Sequence, residues 1–442
     1  MELIDKIVLP QSAQHMILLK YILVLTFLLF VPYASVLFGS FILSIFFKNK
    51  FKKNSDVLYK NLSIELIDLV TFSKGIAFTL GLIPLLSSAF CYAQLLHLSG
   101  LIIPETILIS ALLFLIALIS IYSYKHSLHL KNIIELNADI KSDESEKDIE
   151  EYIYRINRVI KTSSYSGLLF LVISIYLFVS SVEFTQDSEK WSYANNIFGI
   201  IFSLNALIGY LQFILFSLTL TSAFLLLKHG KIVNNADSYK NYVKNFSLKL
   251  GLTSTVLLPV LVILSIFTKS KLSLSYNVFG FTLLALIFLL LISILFYAMI
   301  KQNEVKYGLL TIFLFFLVIS FLIIKEQFAF NTSAKKHFVY LAANYESYQK
   351  KLLEESGLLK ETVNGADIFN SKCIACHQFD RRVVGPPYNE VLPKYEGKRQ
   401  ELVNFILNPT KINPDYPPMP NQGLKPKEAE AVAEFIMSNY KK

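Results

Sequence analysis

Charged residues are scarce in this sequence, and their scarcity excludes an ordinary soluble protein. Asp, Glu, Lys and Arg make up 17% of the 442 residues, whereas soluble domains hold about a quarter. Hydrophobic residues make up 54%, and they are concentrated in long runs without a charge. Such runs, joined by loops rich in Lys and Glu, are typical of membrane spans.

Eight hydrophobic runs predict eight membrane-spanning helices. Most hold about 20 apolar residues, which as helix cross a hydrocarbon core about 30 Å thick. Helix is expected because lipid offers no partner to free backbone groups. The fifth run is long, so we expect it to tilt or to project beyond the bilayer. The runs cover residues 21–47, 75–98, 101–124, 163–183, 197–227, 250–268, 277–300 and 308–324.

The positions of Lys and Arg predict how these spans are oriented. Nineteen Lys and Arg, without counting Lys74 at a span boundary, lie in the loops 48–74, 125–162, 228–249 and 301–307. The segments on the other side of the spans hold only five. Such an excess marks the cytoplasmic side. Since the number of spans is even, both termini and the tail are predicted on the periplasmic side of the cytoplasmic membrane. The net charge of +9 then reflects this excess and not nucleic-acid binding.

Cysteine is almost absent, with three residues, and two of them lie in the polar tail within SKCIACHQF, residues 371–379. A Cys-x-x-Cys pair alone fits a redox disulfide or half of a zinc site. The following residue completes Cys-x-x-Cys-His, the attachment signature of c-type haem. A zinc ribbon would need a second ligand pair, and no other cysteine is near. Cys373 and Cys376 are therefore predicted to bind one haem c covalently, with His377 as an iron ligand.

Methionine is a further scarce residue that narrows the choice of the second iron ligand. Ligation by Met and His gives a carrier of high potential, and only Met419 and Met437 follow the motif. Met419 lies in the proline-rich stretch DYPPMPNQG, where a loop can place a thioether over the macrocycle. Met437 lies in an amphipathic helix pattern, where methionine usually fills a core. Met419 is the predicted ligand.

With these residues, the tail, residues 365–442, resembles the class I cytochrome c family. An opening helix with Gly365 and Phe369, the CIACH motif, VGPPY, the PPMP loop and a closing helix with Phe435 follow in family order. The resemblance implies an all-α domain in which Gly365 and Phe369 cross the last helix near Phe435. It also implies that the carbonyl of Pro386 accepts the second N–H of the proximal histidine, and that haem is attached outside the cytoplasm. The predicted fold class is an all-α transmembrane bundle followed by this small domain.

The function of the spans is predicted less directly, from ionisable side chains at their outer edge. His15 and His97 are candidate ligands of a haem b, or simple interfacial histidines. His97 or Glu105 is a candidate proton acceptor for a quinol. His15 at span one, followed by LLFVPYASVLFGS, resembles the quinol-oxidising subunit of the cytochrome bd family, in that helix only.

Four other histidines are predicted to be ordinary. His126 and His129 are expected at a lipid-headgroup surface, with metal binding as the alternative, and His229 and His337 are expected to be solvated. The charged segment 131–161 is predicted to be a cytoplasmic amphipathic helix, either simply solvated or a docking site for a partner.

Three hypotheses for the whole chain follow. The first is a membrane-anchored cytochrome c that serves a respiratory complex or a soluble periplasmic carrier. The second is a quinol-dependent oxidoreductase or its subunit, and the third is a haem-linked transporter or redox sensor. In all three hypotheses the chain consists of a transmembrane domain, residues 1–324, a helical stalk, 325–364, and the cytochrome domain, 365–442.

Overall fold

The computed structural model describes residues 8–136, 143–193, 197–229, 238–356 and 363–440. Within these ranges all regular structure is helical. The chain divides into two compact units, Met1–Tyr348 and Gln349–Lys442. The all-α prediction is therefore confirmed. The predicted domain boundaries at 324 and 364 stay a prediction, since the division between the two compact units falls inside one helix, Lys335–Glu355.

The first unit contains eight helices that are long and apolar enough to cross a membrane, as the sequence predicts. They are α1 (Ala13–Asn54), α3 (Lys74–Leu95), α4 (Ile103–Leu136), α5 (Asp143–Thr185), α7 (Leu204–His229), α8 (Ser238–Thr268), α9 (Tyr276–Gln302) and α10 (Gly308–Ser333). Between or after them lie α2 (Val57–Asp68), α6 (Ile197–Ile201) and α11 (Lys335–Glu355).

The spans extend beyond the hydrophobic runs because a helix ends at its caps and not at the lipid boundary. The Ser12 hydroxyl accepts a hydrogen bond from the His15 backbone N–H at 3.1 Å and begins α1. At the other end Ser55 adopts a left-handed conformation with φ of 53°. The apolar run 21–47 therefore marks only the part of α1 that lipid and neighbouring helices cover.

Small residues bring the spans close together. A Cβ on Gly39 of α1 would lie 2.5 Å from the carbonyl oxygen of Ser217 in α7, so the two backbones touch there. Ser110 of α4 and Ser174 of α5 each donate a hydrogen bond to the other's backbone carbonyl, at 2.9 and 2.8 Å. Close contacts of this kind replace the hydrophobic effect as the force that packs helices in lipid.

The structure corrects two of the sequence predictions. The run 197–227 is not one span, since α6 ends before Ser203, whose side chain accepts from the Ala206 N–H at 3.0 Å and starts α7. The segment 131–161 is not a separate helix either. Its described parts are the end of α4 and the start of the 43-residue α5, and residues 137–142 lie outside the described ranges.

The second unit contains the four short helices of the tail and the end of α11. They are α12 (Gly365–Ile368), which a wider turn continues through Phe369–Cys373, α13 (Tyr388–Val391), α14 (Arg399–Leu407) and α15 (Pro426–Asn439). A Cβ on Gly365 would lie 2.0 Å from the Ala431 carbonyl oxygen, so α12 crosses α15 in direct backbone contact. Phe369 packs on Phe435 with ring centroids 5.3 Å apart. Both contacts are those implied by the resemblance.

Candidate haem site and polar clusters of the membrane unit

The Cys-x-x-Cys-His segment of the tail forms a tight turn. The N–H groups of Cys376 and His377 both donate to the Cys373 carbonyl oxygen, at 3.1 and 2.9 Å. The turn places all three side chains on the wall of one cleft. Cys373 is buried and Cys376 is half-buried, and burial raises the pKa of the Cys373 thiol.

The ring of His377 is fixed from three sides. Its Nδ1 lies 3.0 Å from the carbonyl oxygen of Pro386, so Nδ1 carries the proton and Nε2 keeps a free lone pair. The ring stacks on Tyr388 at 5.1 Å. Gly385 covers a further side so closely that a Cβ there would lie 2.2 Å from the His377 Cε1 atom.

The cleft behind this turn has a volume of about 300 Å³. The loop with Tyr416, Pro417, Pro418 and Met419 also lines this cleft. Met419 therefore shares the cleft with His377, whereas Met437 packs against the hydrophobic core of the tail. Two thiols, an imidazole lone pair and a thioether around an apolar cleft are the donor set that a covalently attached haem requires.

The methionine loop is tied to the haem-attachment loop and to α14. The guanidinium of Arg382 donates to the Asp415 carbonyl oxygen at 3.1 Å and lies 4.3 Å above the Tyr416 ring. The side chain of Asn421 donates to the Leu407 carbonyl oxygen at 2.9 Å. These contacts hold both ends of the loop that carries Met419.

A small all-helical domain with this cleft is a class I c-type cytochrome domain. A family model described as "Cytochrome c" matches residues 362–439. Cytochrome c-551 of Pseudomonas denitrificans is 35% identical over 78 residues, which are 17% of this chain and 95% of that protein. Cytochrome c-551 of Pseudomonas aeruginosa is 33% identical over 72 residues, 16% of this chain and 69% of that protein. Cytochrome c-552 of Hydrogenobacter thermophilus is 34% identical over 70 residues, 15% of this chain and 70% of that protein.

Through this tail the chain belongs to the cytochrome c family, and it joins an electron-transfer domain with covalent haem c to a region of membrane helices. No solved structure shows significant similarity to the chain. The family model matches only residues of the tail, so the likeness of α1 to the cytochrome bd subunit stays a prediction.

The three sequence candidates in the membrane unit lie in different environments. The His15 side chain is exposed on α1, whereas His97 is buried with 6% of its surface exposed. Glu105 in the first turn of α4 is half-buried, and its Oε2 atom is covered without a hydrogen-bond partner among the described residues. The structure therefore offers no support for His15 and His97 as a haem b ligand pair.

Two of the ordinary histidines at the predicted cytoplasmic end instead contact carboxylates. His129 Nε2 lies 2.9 Å from an oxygen of Asp68. His229, only 12% exposed at its side chain, lies 2.7 Å from Glu65 Oε1, so the prediction of a solvated His229 is wrong. The described residues contain no group of three or more His, Cys, Asp and Glu side chains that could bind a metal ion.

A buried group of four charges lies near the predicted outer end of the bundle, and we call it the charge cluster: Glu183, Lys269, Lys325 and Glu326. The Lys269 ammonium lies 3.3 Å from Glu183 Oε2 and 2.6 Å from Glu326 Oε2. Lys325 is fully buried, with its Nζ 2.5 Å from Glu326 Oε1. The cluster thus links α5, α10 and the end of α8 by charge pairs with no net charge.

A second polar group at this end includes a residue that was expected to be solvated. His337 packs its ring against Trp191, with centroids 5.5 Å apart and planes at 82°. Burial lowers its pKa to about 4, although a hydrogen bond with the Leu95 backbone opposes that shift. The Nε2 atom is buried without a partner among the described residues. The prediction of a solvated His337 is therefore wrong, and no motif in the sequence announces this contact.

Proposed function

We propose that this protein is a membrane-anchored c-type cytochrome that transfers single electrons on the periplasmic face of the cytoplasmic membrane, within a respiratory chain. One observation supports the proposal most strongly. The Cys-x-x-Cys-His turn and Met419 line one and the same cleft of the tail. This arrangement suits an iron that changes charge by one electron while its two ligands stay in place.

Each residue of the site has a proposed role. Cys373 and Cys376 would form the thioethers to a haem, His377 and Met419 would be its axial iron ligands, and the Pro386 carbonyl orients the His377 ring. The bound haem supplies a single reversible electron transfer at the iron. The chain itself fixes the imidazole tautomer through the Pro386 carbonyl and brings the Met419 thioether into the same cleft.

The periplasmic location is supported by two independent arguments. The excess of Lys and Arg in alternate loops favours a tail on the outer side, and haem c is attached outside the cytoplasm. The test is labelling of a single Cys substituted for Lys411, which is exposed, with a membrane-impermeant thiol reagent in spheroplasts. We expect labelling at 411 and none at a matched Cys in place of Lys52, and the reverse pattern would contradict the orientation.

The proposed partners are subunits of a respiratory complex or a soluble periplasmic electron carrier. The rim of the cleft supports an acidic docking surface on the partner, because Lys372, Lys394 and Lys411 line the cleft with Glu390 as the one carboxylate among the described lining residues. Opposite charge on the two proteins would increase the rate of encounter. The corresponding measurement is the rate of encounter of the two proteins at low and at high salt, and we expect that rate to fall at high salt.

The assignment of the axial ligand is tested by a matched pair of variants. Met419→Leu should remove the charge-transfer band of methionine-ligated ferric haem and lower the midpoint potential, since Met/His ligation raises it. Met437→Leu, in the core of the tail, should keep both properties. If Met437→Leu and not Met419→Leu removed the band, the proposed site would be wrong.

A second proposed function is quinol oxidation in the membrane unit, with electrons passed to haem c. It is favoured by the polar group around His337, which lies at the predicted outer end of the spans and contains a neutral imidazole whose Nε2 has no partner among the described residues. Two haem c groups would be reduced for each quinol oxidised, and two protons would be released. A haem-linked transporter or redox sensor, and a haem b in the spans, gain no support from a specific contact.

A further inference from the structure

Two lysines of α1 lie at the two levels where a bilayer meets water. Lys20 directly precedes the first apolar run, and Lys48 directly follows it. They are 28 positions apart within one helix, and a rise of about 1.5 Å per residue separates them by about 42 Å. A bilayer with its head groups is about 40–45 Å thick. Lys48 therefore lies at the level of the lipid head groups, at the predicted cytoplasmic end of α1.

The side chain of Lys48 is half-buried beside an aromatic ring. Its ammonium nitrogen lies 5.5 Å from the centroid of the Tyr124 ring on α4. The Tyr124 side chain is fully buried, and its hydroxyl lies 3.2 Å from the Ser44 hydroxyl of α1. The ring attracts the cation through its π face, but it supplies no negative charge. A half-buried ammonium of this kind needs a countercharge.

The carboxylates at this end of the bundle are engaged with other groups. Glu135 pairs with Lys60 at 2.6 Å, and Asp56 caps the first turn of α2. The two carboxylates of α2 described above contact histidines. No carboxylate in the described part of the chain forms an ion pair with Lys48 or Lys52. The countercharge is therefore expected to come from another molecule.

The face of α1 that carries Lys48 changes from apolar to basic at the membrane boundary. Lys52 follows Lys48 by four positions, which places both ammonium groups on one face of the helix, and Lys52 is exposed. Ile45 precedes Lys48 by three positions on the same face and is only partly buried. Lys50 has a different contact, since its ammonium lies 4.3 Å from the centroid of the Tyr59 ring on α2.

We propose that Lys48 and Lys52 bind the phosphate of an anionic phospholipid whose acyl chains lie along Ile45. The phosphate supplies the missing countercharge and accepts charge-assisted hydrogen bonds from the two ammonium groups. Four lysines lie between positions 48 and 53, and such a cluster directly beyond a span is typical of recognition of anionic lipids. The burial of Lys48 against Tyr124 makes this a fixed site within the cluster. The inference does not depend on the electron-transfer function of the tail.

The test counts bound lipid on the intact, haem-loaded protein. The protein in detergent is titrated with dioctanoyl phosphatidylglycerol, and the lipid bound per chain is measured by native mass spectrometry. We expect one saturable site, and we expect dioctanoyl phosphatidylcholine, whose head group has no net charge, to bind more weakly. Lys48→Gln and Lys52→Gln should each raise the apparent Kd about tenfold, since each removes one charge-assisted hydrogen bond.

Two matched variants keep the test specific. Lys50→Gln removes the same charge from the same turn of α1 and should leave the Kd unchanged. Lys48→Arg keeps the charge and should keep the Kd, so it separates loss of the charge from loss of the fold. An equal rise of the Kd in Lys50→Gln and Lys48→Gln would indicate diffuse attraction and would overturn the proposal.

The competing ligands give two more outcomes that would overturn it. Equal affinity for phosphatidylcholine and phosphatidylglycerol would show that only the acyl chains are bound. Displacement of phosphatidylglycerol by inorganic phosphate, with sodium chloride at equal ionic strength as the control, would show a site for a free anion and not for a lipid.

Discussion

Gly385 is the position where one added methyl group should disturb the haem site most directly. A Cβ at this position would lie 2.2 Å from His377 Cε1 and 2.7 Å from both ring nitrogens. An ordinary contact needs about 3.4 Å, so the imidazole must retreat by roughly 1 Å in Gly385→Ala. The hydrogen bond from Nδ1 to the Pro386 carbonyl, now 3.0 Å, cannot survive such a shift unchanged.

The expected size of the effect follows from the role of that hydrogen bond. Loss of a partner that orients a metal-bound histidine weakens ligation about 10–100-fold, or roughly 1.4–2.7 kcal/mol. Gly385→Ala should therefore keep covalent haem c but show a high-spin fraction in the absorption spectrum of the ferric protein. Gly280→Ala, where a Cβ would meet no atom within 4 Å, is the control. A Gly385→Ala spectrum and midpoint potential identical to wild type would refute the assigned geometry.

Three further predictions concern the remaining clusters. Lys269→Met leaves Glu183 without its ammonium partner and should lower the free energy of unfolding by about 3–5 kcal/mol. The double variant Lys269→Met with Glu183→Gln should recover part of this loss. An unchanged unfolding midpoint of Lys269→Met in detergent would contradict the prediction. Arg382→Ala loses a hydrogen bond and a cation–π contact with the methionine loop. The free energy needed to release the Met419 ligand should therefore fall by about 1–2 kcal/mol. The charge-transfer band, followed in a denaturant titration, measures this release. Hydrogen bonds from His229, Tyr239 and Lys228 outweigh burial and lower the pKa of Glu65 to about 2. The contribution of Glu65 to stability is therefore present above about pH 4.5 and is lost as the pH falls towards 2. In Glu65→Gln, the unfolding midpoint should depend less on pH over that range.

The sequence predicted the number of spans and the position of the cytochrome domain because both depend on local signals. A charge-free run of about 20 residues has few alternatives to a membrane helix. The Cys-x-x-Cys-His motif is contiguous, and Met419 was separable from Met437 because one lies among prolines and the other in a helical pattern. Comparable signals did not exist for the ends of the helices, since caps such as Ser12 and Ser203 are common residues.

The polar groups of the membrane unit could not be predicted in the same way. His337 lies 146 positions from Trp191 in the sequence, and Lys269 lies 86 from Glu183 and 57 from Glu326. Such pairs form only once the helices have packed, and a single histidine near lysines is more often solvated. Three of the four histidines predicted to be ordinary proved to be buried or paired for this reason.

The most direct test of the central claim is the pyridine haemochrome spectrum of the purified, detergent-solubilised protein. We predict one haem c per chain and its complete loss in a variant with both Cys373→Ala and Cys376→Ala, with the eight-span unit still present in the membrane. Wild-type protein that carries no covalent haem, or haem that stays covalently attached when both cysteines are replaced, would contradict the claim.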